Sequence, residues 1–335
     1  MKNSTAEPAA RGKRIGVVLL QLGGPDALES VEPFLYNLFC DPDIIDLPLA
    51  FLFRKRLARM ISSRRAPHVQ EFYRKIGSRS PILKLTFRQA RALECELQKN
   101  INAKVLVCMR YWHPMTEAVV DELRREQINR VVLLPLYPHY SKTTTGSSVN
   151  EWKRVSAKKG LRDIGVSGVE EYCEHPLYIG ALVRNIQIAL ARVPAQDRSK
   201  VHLVFSAHGT PMKLVRSGDP YQQQIIRSYN AVIREGKFGL AHHLCYQSKV
   251  GPQKWLEPSL TQTIEGLARE RVTHVIAVPI AFVSDHSETL WEINMDMRRR
   301  AKEMGIRYFD MSPALNTNPM FVRALADVVL QKVRA

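Results

Sequence analysis

Six apolar, β-prone runs constrain this chain most: RIGVVLLQL (14–22), KVLVCM (104–109), RVVLLPLY (130–137), VHLVFSA (201–207), HHLCY (242–246) and HVIAVPIAF (274–282). They are nearly continuous in Val, Ile and Leu, and longer amphipathic stretches separate them. A strand that is apolar on both faces needs cover on both faces, which parallel strands with helical crossovers supply. The pattern therefore predicts an α/β fold of open parallel sheets flanked by helices. The halves echo each other. VLLQLGGP (18–25) resembles LVFSAHGTP (203–211), each a strand entering a Gly-Pro turn, and VLLPLYP (132–138) resembles IAVPIAF (276–282), each a strand with a proline near its end. Two similar Rossmann-like lobes are expected, over 14–165 and 166–335, after a flexible tail at 1–13. They meet where Gly160, Gly165 and Gly168 interrupt the pattern, and a helix over 179–193 links them.

The 335 residues suffice for two such cores, and a hydrophobic share of 45% argues against disorder. The longest apolar stretches fall short of the roughly 18–20 residues that a spanning helix needs. The start, MKNSTAEPAARGKR, lacks the apolar centre of a secretory signal. Five cysteines are scattered without a C-x-x-C pair, which suits a reducing, cytoplasmic setting and offers no zinc or iron–sulfur ligand set. A formal net charge of +17 implies attraction to something anionic. No nucleic-acid motif accompanies it, so an acidic small molecule or an anionic membrane is the expected partner.

Ligands of open parallel sheets bind beyond the carboxyl ends of the strands. Those ends carry Gln21 to Gly24, Arg110 to His113, Tyr137 to Ser148, Ser206 to Gly209, Tyr246 to Lys249 and Ser284 to Glu288. His208 stands in a turn that Gly209 and Pro211 terminate, where a neutral imidazole serves as base or metal ligand; a turn histidine bonded to backbone is the plainer explanation. The stretch FVSDHSETLWEINMD (282–296) sets Glu288, Glu292 and Asp296 four residues apart, an arrangement that repels itself on a helix. A capping box from Asp285 to Glu288, with Leu290, Ile293, Met297, Ala301 and Met304 buried, explains it without a ligand. A passing cation explains it equally, and the adjoining His286 would suit a transition metal such as iron. YSKTTTGSS (140–148) lacks the order of a phosphate loop, and LGGP (22–25) lacks that of a dinucleotide loop. In segment 44–65, Leu47, Leu49, Phe51, Leu52 and Phe53 precede Arg54, Lys55, Arg56, Arg59, Arg64 and Arg65, which reads as a core helix or as a seat on an anionic bilayer.

Seven blocks taken together resemble ferrochelatase: LGGPDALESVEPFL (22–35), RYWHPMTEA (110–118), YPHYSKTTTGSS (137–148), FSAHGTP (205–211), RSGDPY (216–221), QSKVGPQKWL (247–256) and PIAFVSDHSETLWEI (279–293). The resemblance implies a chelatase-like pair of lobes with the active site in the cleft between them, and insertion of ferrous iron into protoporphyrin IX as the last step of haem synthesis. It implies His208 and Glu288 as the catalytic, metal-meeting pair, with His286 and Asp285 in support and Glu292 and Asp296 as a delivery route. Leu22, Arg65, Ser80, Arg110, Tyr111, Ser248, Trp255, Phe282 and His286 would contact the porphyrin. Segment 44–65 then becomes a lip on the cytoplasmic membrane, and the enzyme is peripheral. No permanently bound cofactor is expected. Some members hold a [2Fe-2S] cluster on a C-terminal cysteine group, which this sequence lacks, and Lys142 stands where their mid-chain cysteine falls. Asn294 and Asp296 depart from the family's acidic line, and Gln21-Leu22 from the Asn-Met pair of some members. Coproporphyrin III as substrate, or a non-catalytic tetrapyrrole carrier on the same fold, remains an alternative.

Overall fold

Residues apolar on both faces do form strands covered on both faces. The computed structural model describes residues 14–44, 50–161, 164–249, 251 and 253–334, without the side chains of 50–52. The tail at 1–13 and the lip residues Leu47 and Leu49 lie outside the described residues. The N-terminal half runs β1 (Ile15–Gln21), α1 (Val31–Cys40), α2 (Ala50–Lys75), α3 (Ile82–Leu97), β2 (Ala103–Met109), α4 (Thr116–Arg125), β3 (Arg130–Pro135), α5 (Ser147–Lys158) and β4 (Gly165–Gly168). The rest is α6 (Pro176–Ala191), β5 (Val201–His208), α7 (Met212–Arg216), α8 (Tyr221–Gly236), β6 (His242–Gln247), α9 (Leu260–Arg269), β7 (His274–Pro279), α10 (Arg298–Glu303), β8 (Tyr308–Met311) and α11 (Pro319–Arg334). A π-helical stretch, Glu288–Met297, leads directly into α10.

Both sheets are parallel and share one topology, with orders β2-β1-β3-β4 and β6-β5-β7-β8. The chain therefore reverses its winding beside β1 in one lobe and beside β5 in the other, and a crevice opens at those carboxyl ends. Alternate side chains of each central strand feed different cores. Val17 and Leu19 of β1 and Leu203 and Phe205 of β5 enter one cluster that runs through both lobes with α3, α6, α8 and α11. Val18 and Leu20 pack outward under α4 and α5, and Val204 packs under α9 and the π-helical stretch. A fourth cluster joins α1 and α2 through Phe34, Leu35, Ala66 and Tyr73, beside Leu22 and Trp112 at the edge of the first sheet.

Three features of the fold lie outside the sequence reading. The sequence reading missed β4 and β8, both edge strands; β4 is the mostly exposed GVSG, with no apolar run to mark it. The expected division at 165/166 falls at the start of β4, which pairs with β3, so the glycines at 165 and 168 belong to the first sheet. Nor does the last helix stay in its own half. α11 packs on α3 and β3, and Arg130 Nη2 donates to Val333 O at 2.6 Å. With one apolar cluster spanning both halves, the lobes are two sheets on a common core.

Candidate active site

The crevice of the second sheet takes its side chains from the ends of β5, β6 and β7. His208 is the last residue of β5, and Gly209 lets the chain turn there: its N–H donates to Gln247 O at 2.8 Å, and a Cβ would stand 2.8 Å from that same oxygen. Glu288 opens the π-helical stretch after β7. The two meet, with His208 Nδ1 2.7 Å from Glu288 Oε2. The imidazole is 39% exposed and the carboxylate 19%, so the pair faces the cleft. His286 Nε2 lies 3.8 Å from Glu288 Oε1. Its Nδ1 is 3.0 Å from Ser284 O, and since a carbonyl only accepts, Nδ1 carries the proton. Ser248, held at φ 64, places its hydroxyl 3.0 Å from Glu288 and 2.6 Å from Glu292, with one proton for two carboxylates. Backbone strain of this kind persists where surrounding structure holds it in place. Gln247 Nε2 reaches Glu292 at 3.4 Å, and Ser206 Oγ orients that amide by donating to its oxygen at 2.7 Å.

The electrostatics divide the two glutamates. Burial opposes a charged imidazole at His208, but the Glu288 and Glu292 carboxylates outweigh it and raise its pKa. Burial likewise opposes a charged Glu288, yet His208 and His286 hold it well below the usual carboxylate range. Glu292 is raised to about 7, first by burial and then by the charge of Glu288. The site therefore favours an imidazolium–carboxylate pair, beside a Glu292 carboxyl that titrates at about 7. It can keep a fixed negative charge and exchange two protons. Among the described residues no three His, Cys, Asp or Glu side chains converge into a metal cage.

The π-helical turn changes the expected pattern. Thr289, Ile293, Met297 and Ala301 form the buried stripe at a uniform spacing of four, as a wider turn requires, while Leu290 and Met304 are half-buried. The capping box does not form. The Asp285 N–H donates to Asn316 Oδ1 at 3.0 Å rather than to Glu288, and Thr289 Oγ1 accepts from the His286 N–H at 3.1 Å, which leaves Glu288 free to face His208. Asp296 is only 29% exposed, and Arg299 takes it up at 2.8 Å. Arg298 Nη2 donates to Asn294 Oδ1 at 2.6 Å, so the acidic line meets the site at Glu292 and turns into ion pairs and polar contacts beyond it.

Of the residues named for a porphyrin, the structure gathers Ser248, His286 and Phe282, whose ring lies 4.9 Å from that of His286. Trp255 borders Gly209, the residue after His208, since a Cβ there would lie 3.4 Å from its ring. Leu22 is half-buried at the edge of the first sheet, and Arg65 stands 5.7 Å over the Phe39 ring. Ser80 is buried, and its hydroxyl accepts from Ile82 N–H at 3.3 Å. Arg110 and Tyr111 gather instead around Asp41. Tyr111 is 0% exposed and its hydroxyl donates to Asp41 at 2.5 Å; Arg110 Nη2 pairs with the same buried carboxylate at 3.0 Å. Ser147 accepts from Arg110 Nε at 2.8 Å and donates to Asp41 as well. A buried carboxylate needs this company, so Tyr111 has no exposed surface, and Arg110, 14% exposed, is committed mainly to Asp41. Asp41 carried no motif that singled it out. Nor did Phe72, which stacks on Trp291 at 5.4 Å, or Lys75, 4.1 Å above that ring, which together seat α2 on the π-helical stretch. A cavity of about 380 Å³ lies elsewhere, around Glu171, Glu174 and Arg227, and these already pair with one another.

Comparison with known proteins identifies the family. The ferrochelatase family model matches residues 14–333. The ferrochelatase of Geotalea uraniireducens (strain Rf4) is 46% identical over 321 residues, 96% of this chain and 98% of that protein. That of Aquifex aeolicus (strain VF5) is 45% identical over 320 residues, 95% and 99% of the two chains. Among solved structures, SirB from Bacillus subtilis with Fe3+ superposes with a TM-score of 0.56 at 11% identity, over 96% of this chain and 95% of that one, a likeness of fold.

Proposed function

The chain belongs to the ferrochelatase family, enzymes that insert ferrous iron into a porphyrin in haem synthesis, and on that premise we propose that it metallates protoporphyrin IX with His208 and Glu288 as the catalytic pair. The observation that carries this reading is the 2.7 Å contact between them at the winding reversal of the second sheet. The reaction breaks two pyrrole N–H bonds and forms bonds from the freed nitrogen lone pairs to iron, releasing two protons. Glu288 supplies the charge that a dication approaches. The incoming cation competes with the protons on His208 and Glu292, which leave to solvent; His208 then accepts the two ring protons one at a time, passing the first to solvent before it takes the second. Glu292, with its pKa about 7, yields its proton readily at neutral pH and would meet the iron on its way to Glu288. Ser248, Trp255, Phe282 and His286 would border the macrocycle. Iron is a substrate and the proton acceptors are side chains, so the chemistry needs no resident cofactor.

Protoporphyrin is apolar with two carboxylates, and the α2 surface suits its source in a membrane. Phe53 and Met60 are exposed there among exposed Lys55, Arg56, Arg59 and Arg64. Apolar side chains beside clustered positive charge favour an anionic bilayer. No described helix is long and apolar enough to cross one. The surface of α2 supports a peripheral seat on the cytoplasmic face of the membrane. Anaerobic steady-state rates with protoporphyrin and coproporphyrin test the substrate. Faster turnover of coproporphyrin overturns the choice, and absence of the metalloporphyrin Soret shift with either makes the chain a carrier. His208→Ala is expected to bind porphyrin and to lose nearly all metallation.

A further inference from the structure

Gln89 belongs to α3 in the first lobe, but its side chain ends under the loop that leads to Glu288 in the second. It is fully buried. Its amide nitrogen donates to Asn316 O at 2.8 Å and lies 3.5 Å from Val283 O, while its oxygen accepts from Ser284 Oγ at 3.1 Å. Asn316, after β8, stands in the left-handed region at φ 43. Its N–H donates to Val283 O at 2.8 Å, its side-chain oxygen accepts from Asp285 N–H at 3.0 Å, and its side-chain nitrogen donates to Asp285 Oδ2 at 2.8 Å. Every one of these bonds holds residues 283–285 or the turn that holds them. From there Ser284 O fixes the His286 ring, and Asp285 Oδ1 accepts from Thr289 Oγ1 at 3.1 Å on the first turn of the catalytic helix.

We propose that Gln89 and Asn316 are positioning residues for iron insertion: they clamp the 283–285 loop from both sides so that His286 and Glu288 present themselves to His208. This rests on the reading of His208 and Glu288 as the catalytic pair. A buried amide whose groups are all occupied fixes one geometry where an apolar filler would permit several. The pair at the site is only as well placed as the loop that carries it. The clamp also explains why the loop has no need of the capping box, because its backbone is held by Asn316 and Thr289 instead.

Asn316→Gly tests the clamp without backbone strain, since glycine adopts positive φ freely. Gln89→Met keeps side-chain volume and removes the hydrogen bonds. For Asn316→Gly, at a temperature well below its unfolding midpoint, kcat is expected to fall roughly ten- to a hundredfold, the effect of misplacing a reacting group by up to about 1 Å. Protoporphyrin affinity, read by fluorescence, is expected to stay at the wild-type value. In ¹⁵N spectra the His286 Nδ1–H, which donates to Ser284 O, is expected to exchange faster with solvent. Gln89→Met should repeat the split between kcat and affinity. Wild-type kcat in a folded Asn316→Gly protein overturns the proposal, and so does a joint fall of kcat, porphyrin affinity and melting temperature in both variants, which marks a purely structural role. Glu288→Gln runs in parallel: if it too turns over normally, the catalytic pair is misassigned, whereas an inactive Glu288→Gln beside fully active clamp variants removes this inference alone.

Discussion

Glu288→Gln preserves shape and removes one charge where that charge has several partners. Glu288 Oε2 lies 2.7 Å from His208 Nδ1 and 3.0 Å from Ser248 Oγ, and Oε1 lies 3.8 Å from His286 Nε2. At 2.7 Å, unit charges attract by about 6 kcal/mol with an effective dielectric constant of about 20. Burial of both groups offsets much of this, and a hydrogen bond between charged partners retains about 1.5–3 kcal/mol. Without the carboxylate, burial is the larger influence on His208, and its pKa drops. Glu292 loses the like charge that helps to hold it at about 7, and it falls as well. The variant then has a neutral imidazole in place of a charged pair and no fixed charge to meet a dication. Positioned acid–base groups contribute about 10²–10⁴-fold, or roughly 3–5 kcal/mol of barrier, and iron insertion is expected to slow by that range. Initial rates followed by loss of porphyrin fluorescence under anaerobic conditions measure it, alongside porphyrin affinity and thermal unfolding. Turnover within a factor of about ten of wild type, with affinity intact, refutes the electrostatic reasoning.

Three further expectations rest on other parts of the molecule. His139 is buried and its pKa is lowered to about 3; Ser228 Oγ donates to Cys173 O, so the imidazole donates to Ser228 and is neutral. The unfolded chain binds the extra proton, so stability falls as pH drops from about 6.5 toward 3, by up to roughly 1.4 kcal/mol per unit, and His139→Gln flattens that slope in urea titrations at several pH values. Asp41→Asn removes the carboxylate shared by Arg110, Tyr111 and Ser147 and leaves Arg110 with Glu151, 3.9 Å away, so a loss of up to about 3 kcal/mol is expected in denaturant unfolding. Removal of charge at Lys55, Arg56 and Arg59 weakens binding to phosphatidylserine vesicles in a flotation assay without changing turnover in detergent; unchanged flotation returns α2 to an ordinary surface helix.

Much of the architecture was written locally. Val, Ile and Leu runs such as those of β1 and β5 cannot leave a face in water, so parallel sheets and their strand ends followed from the sequence itself, and the quoted blocks led to His208 and Glu288. Edge strands left no such mark: GVSG of β4 gains its order from β3 alone. Nor did local spacing reveal that the turn after Ser287 is π-helical, a widening that buries Thr289 in line with Ile293 and Met297 while Glu288 and Glu292 reach the cleft. Asp41 with Arg110 and Tyr111, and Gln89 with Ser284 and Asn316, join groups far apart in the chain. Periodicity records which residues avoid water, because that is a property of each residue and its neighbours. Which polar atoms meet depends on where two sheets and their helices bring the backbone, and only the tertiary structure decided that Arg110 serves Asp41 and that Glu288 serves His208.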